Sequence, residues 1–185
     1  MKSELSKYVE EILFTEEEID ARVKEMGRQI TEDYNGDTAD LLLVCILKGA
    51  SIFMADLLKE VDLPVEIDFM AVSSYGKHTV STGDVRILKD LEQRIAGKNV
   101  LIVEDIVDSG YTLSYLVGNL HHRGAKSVRI VTLLNKEARR VVDIHADYVG
   151  FDIPDSFVIG YGLDFNQKLR NLPYIATLKR VYYDE

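Results

Sequence analysis

Three acidic residues stand beside a small-residue turn in the segment VLIVEDIVDSGYTLSYL, residues 100–116. Glu104 and Asp105 follow an apolar run, and Asp108 opens the turn DSGYT. Such a turn offers backbone N–H groups and hydroxyls, and Gly110 lets the backbone approach an anion closely. A helix that begins directly after it would point its positive end at the same place. The turn therefore predicts a phosphate-binding site.

The acidic pair in front of the turn indicates what carries the phosphate. Carboxylates accept hydrogen bonds from vicinal hydroxyls, each contributing about 1.5–3 kcal/mol, and they bind Mg²⁺ directly or through water. We therefore expect a ribose 5-phosphate, with its phosphate on residues 109–112 and its 2- and 3-hydroxyls on Glu104 and Asp105. The alternative is a capped helix after a strand with exposed acids. Three acids clustered behind a buried strand make that alternative less favoured.

The residue pattern on either side of this turn predicts the helices and strands that position it. Thr15 followed by three glutamates is typical of a helix N-terminus, and strand-like runs alternate with helical stretches along the chain. This alternation indicates an α/β fold, a parallel doubly wound sheet flanked by helices. Ligands bind such sheets beyond the carboxyl ends of the strands. We expect helices over 15–33, within 48–61 and over 111–123, and strands over 41–47, 65–72, 84–88, 99–105 and 127–135.

Two stretches do not fit this alternation. Residues 73–83 are small and polar and predict a long flexible loop. The tail from residue 146 on has two prolines and short apolar pieces, so we expect it to be irregular and to form a small lobe over the edge of the sheet.

Composition narrows the class of protein. The 185 residues suit one domain, and a net charge of −9 argues against a nucleic-acid partner, which usually requires a basic face. Cys45 is the single cysteine, which excludes an intramolecular disulfide and suits a buried apolar position. The longest apolar run, 41–47, is too short to span a membrane, and the first residues lack the apolar core of a secretory signal. We expect a cytoplasmic protein with no membrane partner and no zinc site.

Several segments of the chain resemble the motifs of a known protein family. VLIVEDIVDSGYT resembles the ribose-phosphate motif of the phosphoribosyltransferases. LKGASIF, LLNKEARR and VGFDIPDSFVIGYGLDFNQKLRNLPYI resemble the hypoxanthine-guanine phosphoribosyltransferases, so that the similarity runs from about Leu41 to Leu178. The resemblance implies one domain over 1–185 with the type I phosphoribosyltransferase fold. It also implies a flexible lid at 73–83 and a small hood lobe made by the N-terminal segment and residues 150–185.

The implied activity belongs to purine salvage. Members of this family transfer ribose 5-phosphate from 5-phosphoribosyl-1-pyrophosphate to N9 of hypoxanthine or guanine with Mg²⁺, giving IMP or GMP and pyrophosphate. Glu104 and Asp105 would hold the ribose and Mg²⁺ and face the positive charge that develops at the ribose C1. Asp108 matches the general acid/base that takes a proton from N7 of the purine. Its alternative role is to cap the following helix.

The resemblance assigns further residues to the other parts of the substrates. The phosphate would lie on Asp108, Ser109, Gly110, Tyr111 and Thr112, with Tyr111 contributing its backbone. Lys136 would donate to O6 of the purine, since an ammonium group is a donor only and offers nothing to the amino group of adenine. The remaining purine contacts would be stacking on Phe157, the backbone of Val158, and Asp164, which is also an expected Mg²⁺ ligand.

The last residues that the resemblance assigns belong to the pyrophosphate site and to the lid. Lys48 and Gly49 match the pyrophosphate loop, whose Leu47–Lys48 peptide the resemblance expects in a cis form, and Arg170 suits bidentate phosphate contact. Ser74 and Tyr75 match the tip of the lid, which would exclude water from a reactive sugar cation. Without the resemblance these features are an ordinary turn, a surface arginine and a flexible connection.

Two other functions stay open on sequence alone. A regulatory protein of the same fold would bind nucleotides and nucleic acid, but it should show a basic face and could dispense with Asp108. A related transferase could act on another base. Lys136 argues against adenine, whereas xanthine remains possible. The family also suggests a homodimer or a homotetramer.

Overall fold

The computed structural model describes residues 4–74 and 85–183, with the side chain of Ser74 outside the description. Its main sheet has six strands in the order β4-β3-β2-β5-β6-β7. All neighbouring pairs are parallel except β3 and β4, which are antiparallel. The strands are β2 (Leu41–Leu47), β3 (Val65–Ser74), β4 (Val85–Lys89), β5 (Asn99–Val107), β6 (Ser127–Asn135) and β7 (Tyr148–Asp152).

Helices cover both faces of this sheet because its central strands are apolar on both sides. Along β2, Leu43 and Cys45 pack in one core cluster with α1 (Glu16–Tyr34) and α2 (Ser51–Glu60). Leu42 and Val44 pack in a second cluster with α3 (Tyr111–His122). Alternate side chains of a strand point to opposite faces, so each central strand contributes to both cores. The predicted α/β class is confirmed, and Cys45 is fully buried as expected.

The first helix begins where its sequence predicted. Thr15 accepts a hydrogen bond from the backbone N–H of Glu18, and the Glu18 carboxylate accepts one from the N–H of Thr15. This reciprocal pair is a capping box and fixes the start of the helix. Among the described residues, no helix is both long and apolar enough to cross a membrane.

A second, antiparallel sheet joins the two ends of the chain in the order β1-β9-β8. β1 (Val9–Phe14) pairs with β9 (Ile175–Leu178), which also pairs with β8 (Val158–Ile159). Apolar side chains of this sheet, among them Ile159 and Ala176, pack with Leu172 in a separate small cluster. The N-terminal segment and the residues after 150 thus meet in one sheet. The sequence analysis did not predict β1.

Three boundaries differ from the sequence expectations. Residues 73 and 74, predicted to belong to the polar loop, are the last two residues of β3, which therefore runs two residues further than 65–72. β5 runs two residues further than 99–105, to Val107. The tail was expected to be irregular from residue 146, which is wrong for Tyr148–Asp152, because this stretch pairs with β6 as the edge strand of the main sheet. Its five residues are too few to reveal a strand pattern by themselves.

Candidate active site

A cleft of about 310 Å³ opens at the carboxyl ends of β2 and β5. It gathers three segments that are far apart in the sequence: the end of β2 with the loop after it, the end of β5 with the turn before α3, and the segment before β9. Among the residues predicted for the site, the lining includes Lys48, Gly49, Glu104, Asp105, Asp108, Ser109, Gly110, Thr112, Asp164 and Arg170. The phosphate, ribose and pyrophosphate assignments therefore fall in one cavity.

The turn before α3 leaves the helix N-terminus free of side chains. Gly110 is the N-cap residue, with φ of +89°, and no side-chain hydrogen bond caps the described helix. A Cβ on Gly110 would also lie 2.6 Å from Cγ2 of Ile144, so a larger residue fits neither the conformation nor the space. The first N–H groups of α3 are thus available to an anion from the cleft.

Asp108 does not cap this helix, so the alternative role considered for it is wrong. Its Oδ1 atom is buried and has no hydrogen-bond partner among the described residues. Its Oδ2 atom lies 4.0 Å from Nη1 of Arg139. An unpaired buried carboxylate oxygen costs free energy, and a proton or donor from a ligand would relieve that cost. The position fits an acid/base group.

The acidic pair is half-buried and short of partners. Oδ1 of Asp105 accepts the N–H of Ile106 at 2.7 Å, whereas Oε2 of Glu104 is buried without a partner among the described residues. Burial, reinforced by the adjacent charge of Asp105, raises the pKa of Glu104 well above its ordinary value. Burial also raises the pKa of Asp105, against hydrogen bonds that lower it. The free pair therefore favours taking up a proton, a cation or hydroxyl donors.

The same pair bears on Mg²⁺. No group of three His, Cys, Asp or Glu side chains able to hold a metal occurs within residues 4–74 and 85–183. Asp164 is engaged elsewhere, since Oδ1 pairs with Arg170 at 2.7 Å and Oδ2 accepts the N–H of Gln167 at 2.8 Å. Mg²⁺ is commonly held by one or two carboxylates together with waters and substrate phosphates. Glu104, with its unpaired buried oxygen, and Asp105 fit that donor set.

The residues predicted to bind pyrophosphate lie in the loop after β2 and in the segment before β9. The Leu47–Lys48 peptide is cis, as the resemblance implied. Lys48 is exposed, and its Nζ donates to Oε1 of Gln167 at 3.0 Å. Arg170 donates to the carbonyl of Gly162 at 2.6 Å in addition to its pair with Asp164. The two cations predicted for pyrophosphate therefore both contact residues of the short segment 162–167.

Of the four residues assigned to the purine, Asp164 lines this cleft, whereas Lys136, Phe157 and Val158 do not. Lys136 is buried, and its Nζ donates to the carbonyl of Ser156 at 2.9 Å. Its backbone N–H donates to the carbonyl of Val107, which places Lys136 next to the residue before Asp108. Val158 is buried in β8, close along the chain to Ser156. The base-binding candidates thus adjoin the phosphate turn through the ends of β5 and β6.

Phe157 already has aromatic neighbours. It is 38% exposed, with the ring of Tyr183 stacked at 5.3 Å and the ring of Phe165 edge-on at 5.8 Å between centroids. A purine that stacked on Phe157 would use the face opposite Tyr183 or replace that ring. Nothing in the sequence pattern indicated this contact.

Arg139 and Arg140, which follow Lys136 closely in the chain, were not predicted from the sequence to belong to the site. Nε of Arg139 pairs with Oδ1 of Asp155 at 2.6 Å, while its Nη1 approaches Asp108. Arg140 donates to the carbonyl of Asp108 at 3.1 Å. The available signal was two adjacent cations shortly after a strand that ends near a predicted anion site. Of the predicted lid, Tyr75 lies outside the described residues, and Ser74 is the last residue of β3.

Comparison with known proteins decides the family. The model of the phosphoribosyl transferase domain matches residues 11–166, most of the chain. The chain belongs to the phosphoribosyltransferase family. This phosphoribosyltransferase is 54% identical over 176 residues to hypoxanthine-guanine phosphoribosyltransferase from Bacillus subtilis, covering 95% of this chain and 97% of that one. It is 51% identical over 181 residues to the protein of the same name from Streptococcus thermophilus, covering 98% and 99%.

A solved structure gives the same result for the fold. The hypoxanthine phosphoribosyltransferase from Staphylococcus aureus is 50% identical and superposes with a TM-score of 0.96, covering all of both chains. The resemblance drawn from the motifs and the type I fold class are therefore confirmed for this phosphoribosyltransferase.

Proposed function

We propose that the protein transfers the 5-phosphoribosyl group of 5-phosphoribosyl-1-pyrophosphate to N9 of hypoxanthine or guanine. The products are IMP or GMP and pyrophosphate, as in purine salvage. One observation carries the proposal: the uncapped turn before α3 and the acids of β5 share a cleft with the cations Lys48 and Arg170. Among the described residues, Oε2 of Glu104 in this cleft has no hydrogen-bond partner. A phosphate, a sugar and a second phosphate group therefore have complementary partners in one cavity.

The phosphoribosyl group would lie between the turn and the acids. The 5-phosphate accepts hydrogen bonds from the N–H groups and hydroxyls of residues 109–112, at the positive end of α3. The ribose hydroxyls donate to Glu104 and Asp105. Burial raises the pKa of both carboxyls, so hydrogen bonds donated by the ribose would stabilise their charged forms. The acids also stabilise the positive charge that grows at C1 as the bond to pyrophosphate breaks.

The base would be held and activated next to the turn. As N9 bonds to C1 and pyrophosphate leaves, the purine loses its proton at N7 to Asp108, whose Oδ1 has no partner of its own among the described residues. Nζ of Lys136 donates to O6, which adenine lacks. Phe157 provides a stacking surface, and the Val158 backbone meets the edge of the ring.

The leaving group and Mg²⁺ complete the proposal. Lys48, the backbone at Gly49, and Arg170 would contact pyrophosphate, since a guanidinium matches phosphate oxygens in a bidentate manner. Glu104 and Asp105 would hold Mg²⁺, with Asp164 as a further candidate on the pyrophosphate side. When bound, Mg²⁺ neutralises charge on the pyrophosphate group and favours its departure. Ser74 and Tyr75 stay proposed as the tip of a lid.

The remaining assignments extend the proposal. Xanthine carries the same O6 acceptor as hypoxanthine and stays a candidate substrate. A non-catalytic regulator is less well supported, because Asp108 has a carboxylate oxygen without a partner and the net charge is −9. We also propose a homodimer or homotetramer and, from the single cysteine, a cytoplasmic setting. Sedimentation of the purified protein tests the assembly.

A direct assay tests the reaction. The protein is mixed with 5-phosphoribosyl-1-pyrophosphate and hypoxanthine, guanine, xanthine or adenine, and nucleotide formation is followed by absorbance, with Mg²⁺ and with excess EDTA. We expect IMP and GMP to form with Mg²⁺, and adenine to be a far poorer substrate. Nucleotide formation from adenine alone would contradict the base assignment. Full activity in EDTA would contradict the role of Mg²⁺, and no product with any base would contradict the transferase itself.

A further inference from the structure

The phosphate turn is held from behind by the segment 140–144, which follows β6. The carbonyl of Ser109 accepts the backbone N–H groups of both Val141 and Val142, at 3.0 and 3.1 Å. Ile144 occupies the space beside Gly110 where a Cβ would otherwise lie. The turn that faces the cleft on one side is thus bonded and packed on its other side.

Arg140 is the centre of this support. Its Nε donates to the carbonyl of Asp108 at 3.1 Å, and its Nη2 lies 3.5 Å from the carbonyl of Val107. Nη2 also donates to Oδ1 of Asn135 at 2.6 Å, and Nη1 donates to the carbonyl of Ile144. One rigid guanidinium fork therefore joins the end of β5, the turn and the end of β6.

These contacts fix the direction of the donors that a phosphate would use. In a trans peptide the C=O and N–H bonds point in opposite directions, and the cis exception among the described peptides is Leu47–Lys48. Because the Asp108 carbonyl points to Arg140, the N–H of Ser109 points away from it. Because the Ser109 carbonyl points to Val141 and Val142, the N–H of Gly110 also points away from the support. Both N–H groups therefore face away from segment 140–144.

We infer that Arg140 is a positioning residue for phosphoribosyl transfer, holding the turn so that its N–H groups and Asp108 keep their working orientation. The inference rests on the proposed function, because it assigns the turn to the 5-phosphate. Arg140 is not among the residues that line the cleft. It acts through the backbone of Val107, Asp108 and its own segment.

The substitution Arg140→Lys keeps the positive charge and removes the planar guanidinium group whose N–H donors join the strand ends and the turn. We expect KM for 5-phosphoribosyl-1-pyrophosphate and the Kd for GMP to rise, and kcat to fall, with kcat/KM reduced roughly 10–100-fold, as for small displacements of positioned groups. We also expect faster amide hydrogen exchange at Val141 and Val142, because their N–H groups are bonded to the turn.

Arg22→Lys is the matched control. Arg22, on α1, also donates to two backbone carbonyls, those of Val149 at 2.6 Å and Gly150 at 3.0 Å, but on β7. A general loss of stability would affect both variants alike, so the control should keep the wild-type KM, GMP affinity and exchange at 141–142. If Arg140→Lys does not fold, Val141→Pro removes one donor to Ser109 and leaves the arginine in place. The extended conformation of Arg140, with φ of −63° and ψ of 124°, suits a residue before proline.

The outcomes separate this inference from the proposed function. In Arg140→Lys, unchanged exchange at Val141 and Val142 together with a GMP affinity within about twofold of wild type would overturn the role of Arg140. In Val141→Pro, which has no N–H at position 141, unchanged exchange at Val142 with the same GMP affinity would overturn the role of the segment through which Arg140 acts. Wild-type protein that forms no nucleotide would overturn the proposed function. In that case the exchange experiment, which needs no substrate, would still decide whether Arg140 holds the turn.

Discussion

The carboxylate of Asp105 occupies the space that a side chain on Gly49 would need. A Cβ built on Gly49 would lie 1.5 Å from Oδ2 and 2.5 Å from Cγ of Asp105. The backbone carbonyl oxygen of Gly49 packs closely against Gly162, since a Cβ built on Gly162 would lie 2.0 Å from that oxygen. The loop after β2 and the acidic pair of β5 are therefore packed so closely that neither can change without moving the other.

Gly49→Ala should therefore damage the site. The new methyl group must displace Asp105 or the loop, and we expect kcat/KM to fall by roughly 10²-fold or more, since displacements of about 1 Å have effects of this size. Steady-state kinetics would measure the loss. Gly118→Ala is the control, because a Cβ at Gly118 in α3 meets nothing within 4 Å. Alanine there should preserve activity and stabilise the helix by up to about 1 kcal/mol.

Strands and site residues could be predicted from the sequence where a single continuous segment contains the whole residue pattern. The apolar runs of β2, β5 and β6 and the acids near the end of β5 lie in short continuous stretches, so spacing and residue type were sufficient. β1 could not be predicted because its partner is β9, and Val9 pairs with Leu178 at the other end of the chain. The support by Arg140 was missed for a related reason. Its partners are mainly backbone carbonyls, which leave no mark in the residue pattern.

Asp108→Asn should remove the proton acceptor and keep the shape of the side chain. Turnover should fall roughly 10²–10⁴-fold, the usual size of general acid/base effects, while the thermal unfolding midpoint stays near that of wild type because Asp108 does not cap α3. Rapid-mix kinetics with hypoxanthine and guanine provide the measurement. Asp143→Asn changes an exposed carboxylate of the neighbouring segment and should leave turnover unaltered. Turnover of Asp108→Asn equal to that of wild type would exclude Asp108 from proton transfer.

Glu104→Gln should make the protein more stable and less active. The raised pKa means that Glu104 contributes stability at low pH, where it is protonated in both states, and loses it as the pH rises through the pKa of the folded state. Glutamine stays neutral, so its advantage should grow as the pH rises from below the ordinary glutamate pKa through the raised pKa of Glu104. A gain of ~1 kcal/mol would raise the midpoint of thermal unfolding by about 2–4 °C in a chain of this size.

Thermal unfolding in EDTA, at several pH values, measures this difference. Glu137→Gln changes an exposed glutamate and should show no such pH-dependent gain. In the assay with Mg²⁺, Glu104→Gln should lose activity even as it gains stability. A midpoint for Glu104→Gln that lies below that of wild type at every pH tested would show that Glu104 is not destabilising the free protein.

Lys136→Met should weaken discrimination between 6-oxopurines and adenine. The Lys136 ammonium is buried, donates to the Ser156 carbonyl and lies 3.7 Å from Oδ1 of Asp155, so its position is fixed before a base arrives. Methionine keeps most of the volume and loses the donor. We expect kcat/KM for hypoxanthine and guanine to fall roughly 10–100-fold, the value of one hydrogen bond to a charged group, with little change for adenine.

The control for this variant must remove a lysine without touching the base. Lys59→Met does so, because Lys59 is exposed on α2 and pairs with Asp56. Competition between hypoxanthine and adenine for limiting 5-phosphoribosyl-1-pyrophosphate gives the specificity ratio directly. If Lys136→Met keeps the full preference for hypoxanthine, the selection against an amino group must come from the backbone around Val158, whose N–H and C=O would then have to distinguish the two bases.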